Sequence, residues 1–84
     1  MPTKPKTSLR GLRTFCVAAR HESFTLAADE LFITSSAVSH QVRSLEQELG
    51  VQLFERGSRE LKLTETGRDL FNEAEPLIER LDDI

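Results

Sequence analysis

The 84-residue sequence contains one cysteine, three prolines, four glycines and no tryptophan or tyrosine, and each scarcity excludes something. A lone Cys16 can form neither an internal disulfide nor a cysteine-based zinc site, and is expected as a small buried hydrophobe. No apolar run approaches the roughly 18 residues of a membrane span. The start, Met1-Pro-Thr-Lys-Pro-Lys, lacks the apolar core of a secretory signal, so a cytoplasmic protein is expected. No repeat or low-complexity stretch is present beyond residues 1–7, which are expected to be a disordered tail. A basic excess is missing too: the net charge is −3. The acidity is uneven, however. Residues 1–59 carry eight Lys/Arg against six acids, while residues 60–84 carry three against eight. Attraction to a polyanion depends on the field of the contacting face and not on the total, so binding to nucleic acid stays open.

Periodicity predicts mainly helix. From Ser8 to Arg20, Leu9, Leu12, Cys16 and Ala19 share one helical face, widened by Phe15. Ser23 reads as an N-cap for a short helix with Phe24, Ala27, Ala28 and Leu31 on its apolar face. Two alanines there permit a close helix crossing. Phe32-Ile33-Thr34 makes a tight connection, and Thr34 caps a third helix with Val38, Val42, Leu45 and Leu49 at its back. Gly50 ends it in the C′ position. Its front carries Ser35, Ser36, Ser39, His40 and Arg43, with no acid before Glu46. Val51 and Leu53, then Leu61 and Leu63, alternate around Gly57-Ser58-Arg59 as a short β-hairpin. Thr64 caps a last helix in which Leu70, Ala74, Leu77, Leu81 and Ile84 are spaced 4, 3, 4, 3, beside Phe71 and Ile78. That is a coiled-coil seam. Part of it, near Leu70 and Phe71, must pack on its own domain, whereas Ala74 to Ile84 are expected to face a partner helix. Pro76 inside this helix removes a hydrogen bond and should bend it. The seam reaches the last residue without a stop signal, so the chain reads as cut from a longer protein.

The expected architecture is therefore a winged helix-turn-helix, three helices plus a β-hairpin wing, over residues 8–63, followed by a long dimerising linker helix over 64–84. Four blocks carry a further likeness: Ser23-Phe-Thr-Leu-Ala-Ala-Asp-Glu-Leu31, Ala37-Val-Ser-His-Gln-Val-Arg-Ser-Leu-Glu46, Leu49-Gly-Val-Gln-Leu-Phe-Glu-Arg56 and Leu63-Thr-Glu-Thr-Gly67. In this order and spacing the chain resembles the N-terminal DNA-binding domain of LysR-type transcriptional regulators. Ala18-Ala-Arg-His21 and Val38-Ser-His-Gln41 are similar to the branch of glycine-cleavage activators and β-lactamase regulators. The resemblance implies a homodimer held by antiparallel linker helices, often paired into a tetramer, that reads inverted half-sites in double-stranded DNA. It also implies a C-terminal domain, absent from this sequence, that binds a small-molecule effector.

By the same resemblance, Ser35, Ser36, Ser39 and His40 face bases in the major groove. Many relatives carry Gln-Pro in place of Ser35-Ser36 and Arg in place of His40. Serine discriminates bases less sharply than a bidentate side chain worth about 1–3 kcal/mol, so specificity is expected to lean on the wing and on DNA shape. Arg59 resembles the wing residue that enters the flanking minor groove. Arg43, one turn beyond His40, is expected at the backbone or a base, and Arg56 and Arg13 at phosphates. Thr25, in the first turn of its helix, can present its hydroxyl and nearby amides to a phosphate. His21 is read as surface.

Two other classes fare worse. A protein-interaction module would call for an apolar or acidic front on the third helix. An enzyme would need paired carboxylates in a pocket, a metal-ligand cluster, a Gly-rich phosphate loop or a nucleophile–base set, and none is present. No cofactor or metal is expected.

Overall fold

The computed structural model describes residues 9–57 and 61–84. The expected tail and the helix start at Ser8 lie outside the described residues, as do Ser58 and Arg59 of the hairpin tip. Four helices appear in order: α1 Leu9–His21, α2 Phe24–Leu31, α3 Ser35–Leu49 and α4 Glu65–Asp82. None among the described residues is long and apolar enough to cross a membrane.

The caps fall where local chemistry puts them. Ser23 Oγ accepts from Leu26 N at 3.1 Å, Thr34 Oγ1 from Ala37 N at 3.0 Å and Thr64 Oγ1 from Gly67 N at 2.9 Å. Each satisfies a first-turn amide that the helix itself leaves free. Gly50 closes α3 at φ 70°. Phe32 closes α2 in the same left-handed region at φ 58°, an uncommon place for a bulky residue. Its ring is left 94% exposed. The turn this makes is short, with Ile33 N reaching back to Ala28 O at 3.1 Å.

The core gathers one face of every helix. Phe15, Cys16, Ala27, Ala28, Val38, Val42 and Leu45 are all buried, with Leu53 and Phe54 from the segment after α3 and Ala74 and Ile78 from α4. Ala27 and Ala28 lie at the α2 crossing, as small residues allow. On α1 the expected stripe is broader and rotated: Gly11, Thr14, Val17 and Ala18 are buried with Cys16 and Ala19, and Leu9 lies out in solvent. Three helices, α2, α3 and α4, pack on α1, so it needs a wide inner face. Leu49 at the end of α3 is likewise exposed, and Glu46 takes the inner position.

Two corrections concern the second half. The alternation expected around Val51 and Leu53 does not form: Leu53 and Phe54, adjacent in sequence, are both buried, and Val51 is exposed. Among the described residues the pairing is one antiparallel bridge, Phe54 with Leu63, flanked by Glu55 N to Lys62 O at 2.8 Å and Thr64 N to Leu53 O at 3.0 Å. The second concerns Ala74 and Ile78, placed by the sequence reading in the partner-facing seam. Both are 2% exposed within this chain, packed in its core beside α1. Two ion pairs in antiparallel register accompany that contact, one on each side of Ile78. Arg20 grips Glu75 with Nε and Nη2 at 3.0 Å each, and Arg13 pairs closely with Asp82. The hydrogen bond to Glu75 is the main reason the Arg20 guanidinium holds its proton more tightly than a free arginine. Helix α4 continues through Pro76.

Burial, reinforced by the charge of Glu75, pushes the Cys16 thiol up from 9.0 to about 12. The folded state therefore keeps a proton that the unfolded state gives up first. Stability is expected to fall as pH rises from about 9 towards about 12, the sign required when the folded pKa is the higher one. Under native conditions at pH 8, Cys16 is expected to resist a soluble disulfide reagent and to react fully in denaturant; immediate native labelling would contradict the burial.

Candidate nucleic-acid interface

The front of α3 exists because its back is committed. Val38 and Val42 are fully buried and Leu45 is 1% exposed, which turns the opposite side of the helix to solvent. Ser35, Ser36, His40 and Arg43 are exposed there, and Ser39 is half-buried. Short polar groups lead this face for two turns with no acidic side chain among them, which lets the helix approach a polar surface closely. Arg43 has no ion-pair partner among the described residues.

A part-buried hydrogen bond joins α1 to α3. Thr14, 2% exposed, donates its hydroxyl to Gln41 Oε1 at 2.5 Å. In an otherwise apolar interface, such a bond fixes register, since breaking it strands a buried polar group.

The other candidates are differently placed. Thr25 is exposed in the first turn of α2, where backbone N–H groups lack intrahelical partners. Arg13 is engaged by Asp82 and so is shared with α4. Arg56 donates to Glu46 Oε1. Arg59 lies outside the described residues. His21, read from the sequence as plain surface, has its Nε2 at 2.7 Å from Glu30 Oε1, and Glu30 also meets Arg20 Nη1 at 3.4 Å. Of the residues named from the sequence, the structure thus brings together Ser35, Ser36, Ser39, His40 and Arg43 on one helix, with Thr25 at the start of its neighbour.

Sequence reasoning missed Glu46, Gln41 and Gly67. The one signal for Glu46 was its position as the first acid of α3, just before the helix end.

The family profile described as "Bacterial regulatory helix-turn-helix protein, lysR family" matches residues 9–68. The glycine cleavage system transcriptional activator of Escherichia coli (strain K12) is 52% identical over 73 residues, which is 87% of this chain and 24% of that protein. The HTH-type transcriptional activator AmpR of Pseudomonas aeruginosa is 55% identical over 67 residues, 80% of this chain and 23% of its own length. This chain thus spans about a quarter of the curated relatives it matches. Among solved structures, BenM DBD in complex with benA site 1 DNA superposes with a TM-score of 0.84 at 43% identity, covering 90% of this chain and 85% of that one. The oxidized form of Corynebacterium glutamicum OxyR gives 0.87 at 32% identity, covering 96% of this chain and 26% of that one. Fold, profile and relatives converge: this chain belongs to the LysR family of bacterial regulatory helix-turn-helix proteins.

Proposed function

We propose that this domain binds double-stranded DNA sequence-specifically, as a homodimer on inverted half-sites, within a cytoplasmic transcription regulator. The observation that carries the reading is the exposed, acid-free front of α3, built on a buried apolar back. A helix of this kind fits the major groove, with Ser35, Ser36, Ser39 and His40 at base edges and Arg43 at the backbone or a base. Thr25 and the first amides of α2 meet a phosphate. The segment that turns back between Phe54 and Leu63 is the wing, and Arg59 on it enters the minor groove. The likeness to a DNA-bound BenM domain supports this arrangement.

The dimer reading rests on α4. With Ala74 and Ile78 taken into the core, Leu77 and Leu81 remain at i and i+4 on α4, exposed by 57% and 44%. A row of large apolar residues in solvent is what an antiparallel partner helix would cover. Leu70 is half-buried at the near end of the same seam. In the whole regulator such dimers pair into a tetramer, and a further domain binds a small-molecule effector.

Selection of bound sequences from random duplex DNA tests the reading. Two inverted half-sites at fixed spacing should be enriched; recovery of an unbiased pool would refute it. Binding should also weaken with salt by a log–log slope of about −0.9 per phosphate contacted. Replacing Leu77 and Leu81 together by aspartate should give a folded monomer in sedimentation and weaken binding to the paired site roughly 100-fold through lost avidity. A double variant that still sediments as a dimer would move the interface elsewhere.

A further inference from the structure

Glu46 is out of place. It is an acid on the helix proposed to face a polyanion, yet only 8% exposed. A carboxylate so enclosed is costly unless donors surround it, and here three do. Oε2 accepts from Leu53 N at 2.7 Å and from Phe54 N at 3.3 Å, and Oε1 accepts from Arg56 Nη2. Its own carbonyl takes the helix-ending amides of Gly50 at 2.8 Å and Val51 at 3.2 Å. One residue therefore organises the chain's whole exit from α3.

Position on the helix gives this cluster a direction. Ser39, Arg43 and Glu46 stand at i, i+4 and i+7, a single row on α3. By holding Arg56, Glu46 sets a guanidinium at the end of the row begun by Ser39 and Arg43. The Arg56 side chain remains 34% exposed. Guanidinium carries five N–H donors, so the edge turned away from Glu46 can still bind an oxyanion.

We infer that Glu46 is a positioning residue for DNA binding, the internal counter-ion that aims Arg56 at a backbone phosphate beside the recognition helix. This rests on the DNA-binding reading above. It makes a prediction opposite in sign to simple charge counting, by which removing an acid near DNA tightens binding.

The test measures binding of the 84-residue chain to a labelled duplex bearing the selected site, across a salt series. Wild type, Glu46→Gln, Arg56→Ala and the double variant are compared at a temperature where far-UV circular dichroism shows each folded. Glu46→Gln should weaken binding, to within about threefold of Arg56→Ala, and both should flatten the log–log salt slope by about 0.9, one phosphate contact. Adding Glu46→Gln to Arg56→Ala should change nothing further, because the two act through one contact. Tighter binding by Glu46→Gln, or losses that multiply in the double variant, would overturn the inference. If Glu46→Gln does not fold, Arg56→Lys decides. It keeps the charge but loses the planar fork, so weaker binding is expected, and affinity and slope equal to wild type would overturn the proposal. A wild-type chain that binds no duplex overturns the DNA reading and this inference together, an outcome distinct from the others.

Discussion

Replacing Gly67 by alanine is expected to destabilise the domain by about 3 kcal/mol or more, although it sits in the first turn of a helix. Helix propensity alone argues the reverse, since alanine is favoured over glycine by up to about 1 kcal/mol. Packing decides the sign. A β-carbon at Gly67 would stand 2.0 Å from Leu53 O, 2.9 Å from Leu53 C and 3.1 Å from its Cα. These are backbone atoms, which cannot swing aside as a side-chain tip would. The same carbonyl accepts from Thr64 N at 3.0 Å, so displacing it also loosens the entry to α4. Small domains hold only about 5–15 kcal/mol in total, and such a loss consumes much of it. Urea unfolding followed by far-UV circular dichroism measures the change. A variant as stable as its parent would mean that α4 does not lie this close to Leu53.

Phe54→Ala should be the most damaging large-to-small change, at about 3–5 kcal/mol. Phe54 is 1% exposed and meets two other rings edge-on, Phe15 with centroids 5.5 Å apart and Phe24 at 5.6 Å. It therefore joins α1, α2 and the segment after α3 at one point. Edge-to-face pairs add to simple burial, so both ring contacts are lost with the side chain. The same urea experiment applies: a loss below about 1.5 kcal/mol would place the centre of the core elsewhere. Phe32→Ala provides the contrast. That ring is 94% exposed, so its removal creates no cavity.

Much of this fold could be read from the sequence, for local reasons. Ser23, Thr34 and Thr64 are caps because their hydroxyls serve amides three residues on, an interaction that needs no distant partner. Gly50 stops α3 because it tolerates positive φ. Periodicity likewise identified the Val38–Val42–Leu45 back of α3. What failed depended on distant contacts. Ala74 and Ile78 have the spacing of a seam, and only the proximity of α1 assigns them inward. Leu53 and Phe54 break strand alternation because both amides turn to the Glu46 carboxylate, and a pattern of apolar residues carries no trace of that acceptor. Gly67 stood within a recognisable block, but its reason is a carbonyl fourteen residues earlier. The front of α3 was legible in its residue types. That Arg13 and Arg56 are engaged by Asp82 and Glu46 was not, since exposed-looking arginines give no sign of their partners.

The two-pronged grip of Arg20 on Glu75, with Arg13 on Asp82 one helical stretch away, gives α4 a mechanical character. A helix tethered at its base alone would swing. Fastened at Glu75 and again at Asp82, its last residue, α4 instead lies along α1. Its 18 residues, at about 1.5 Å each, span about 27 Å. Through Thr14 and Gln41, α1 is in turn joined to α3, so α1 is the element that both α4 and α3 hold by side-chain hydrogen bonds.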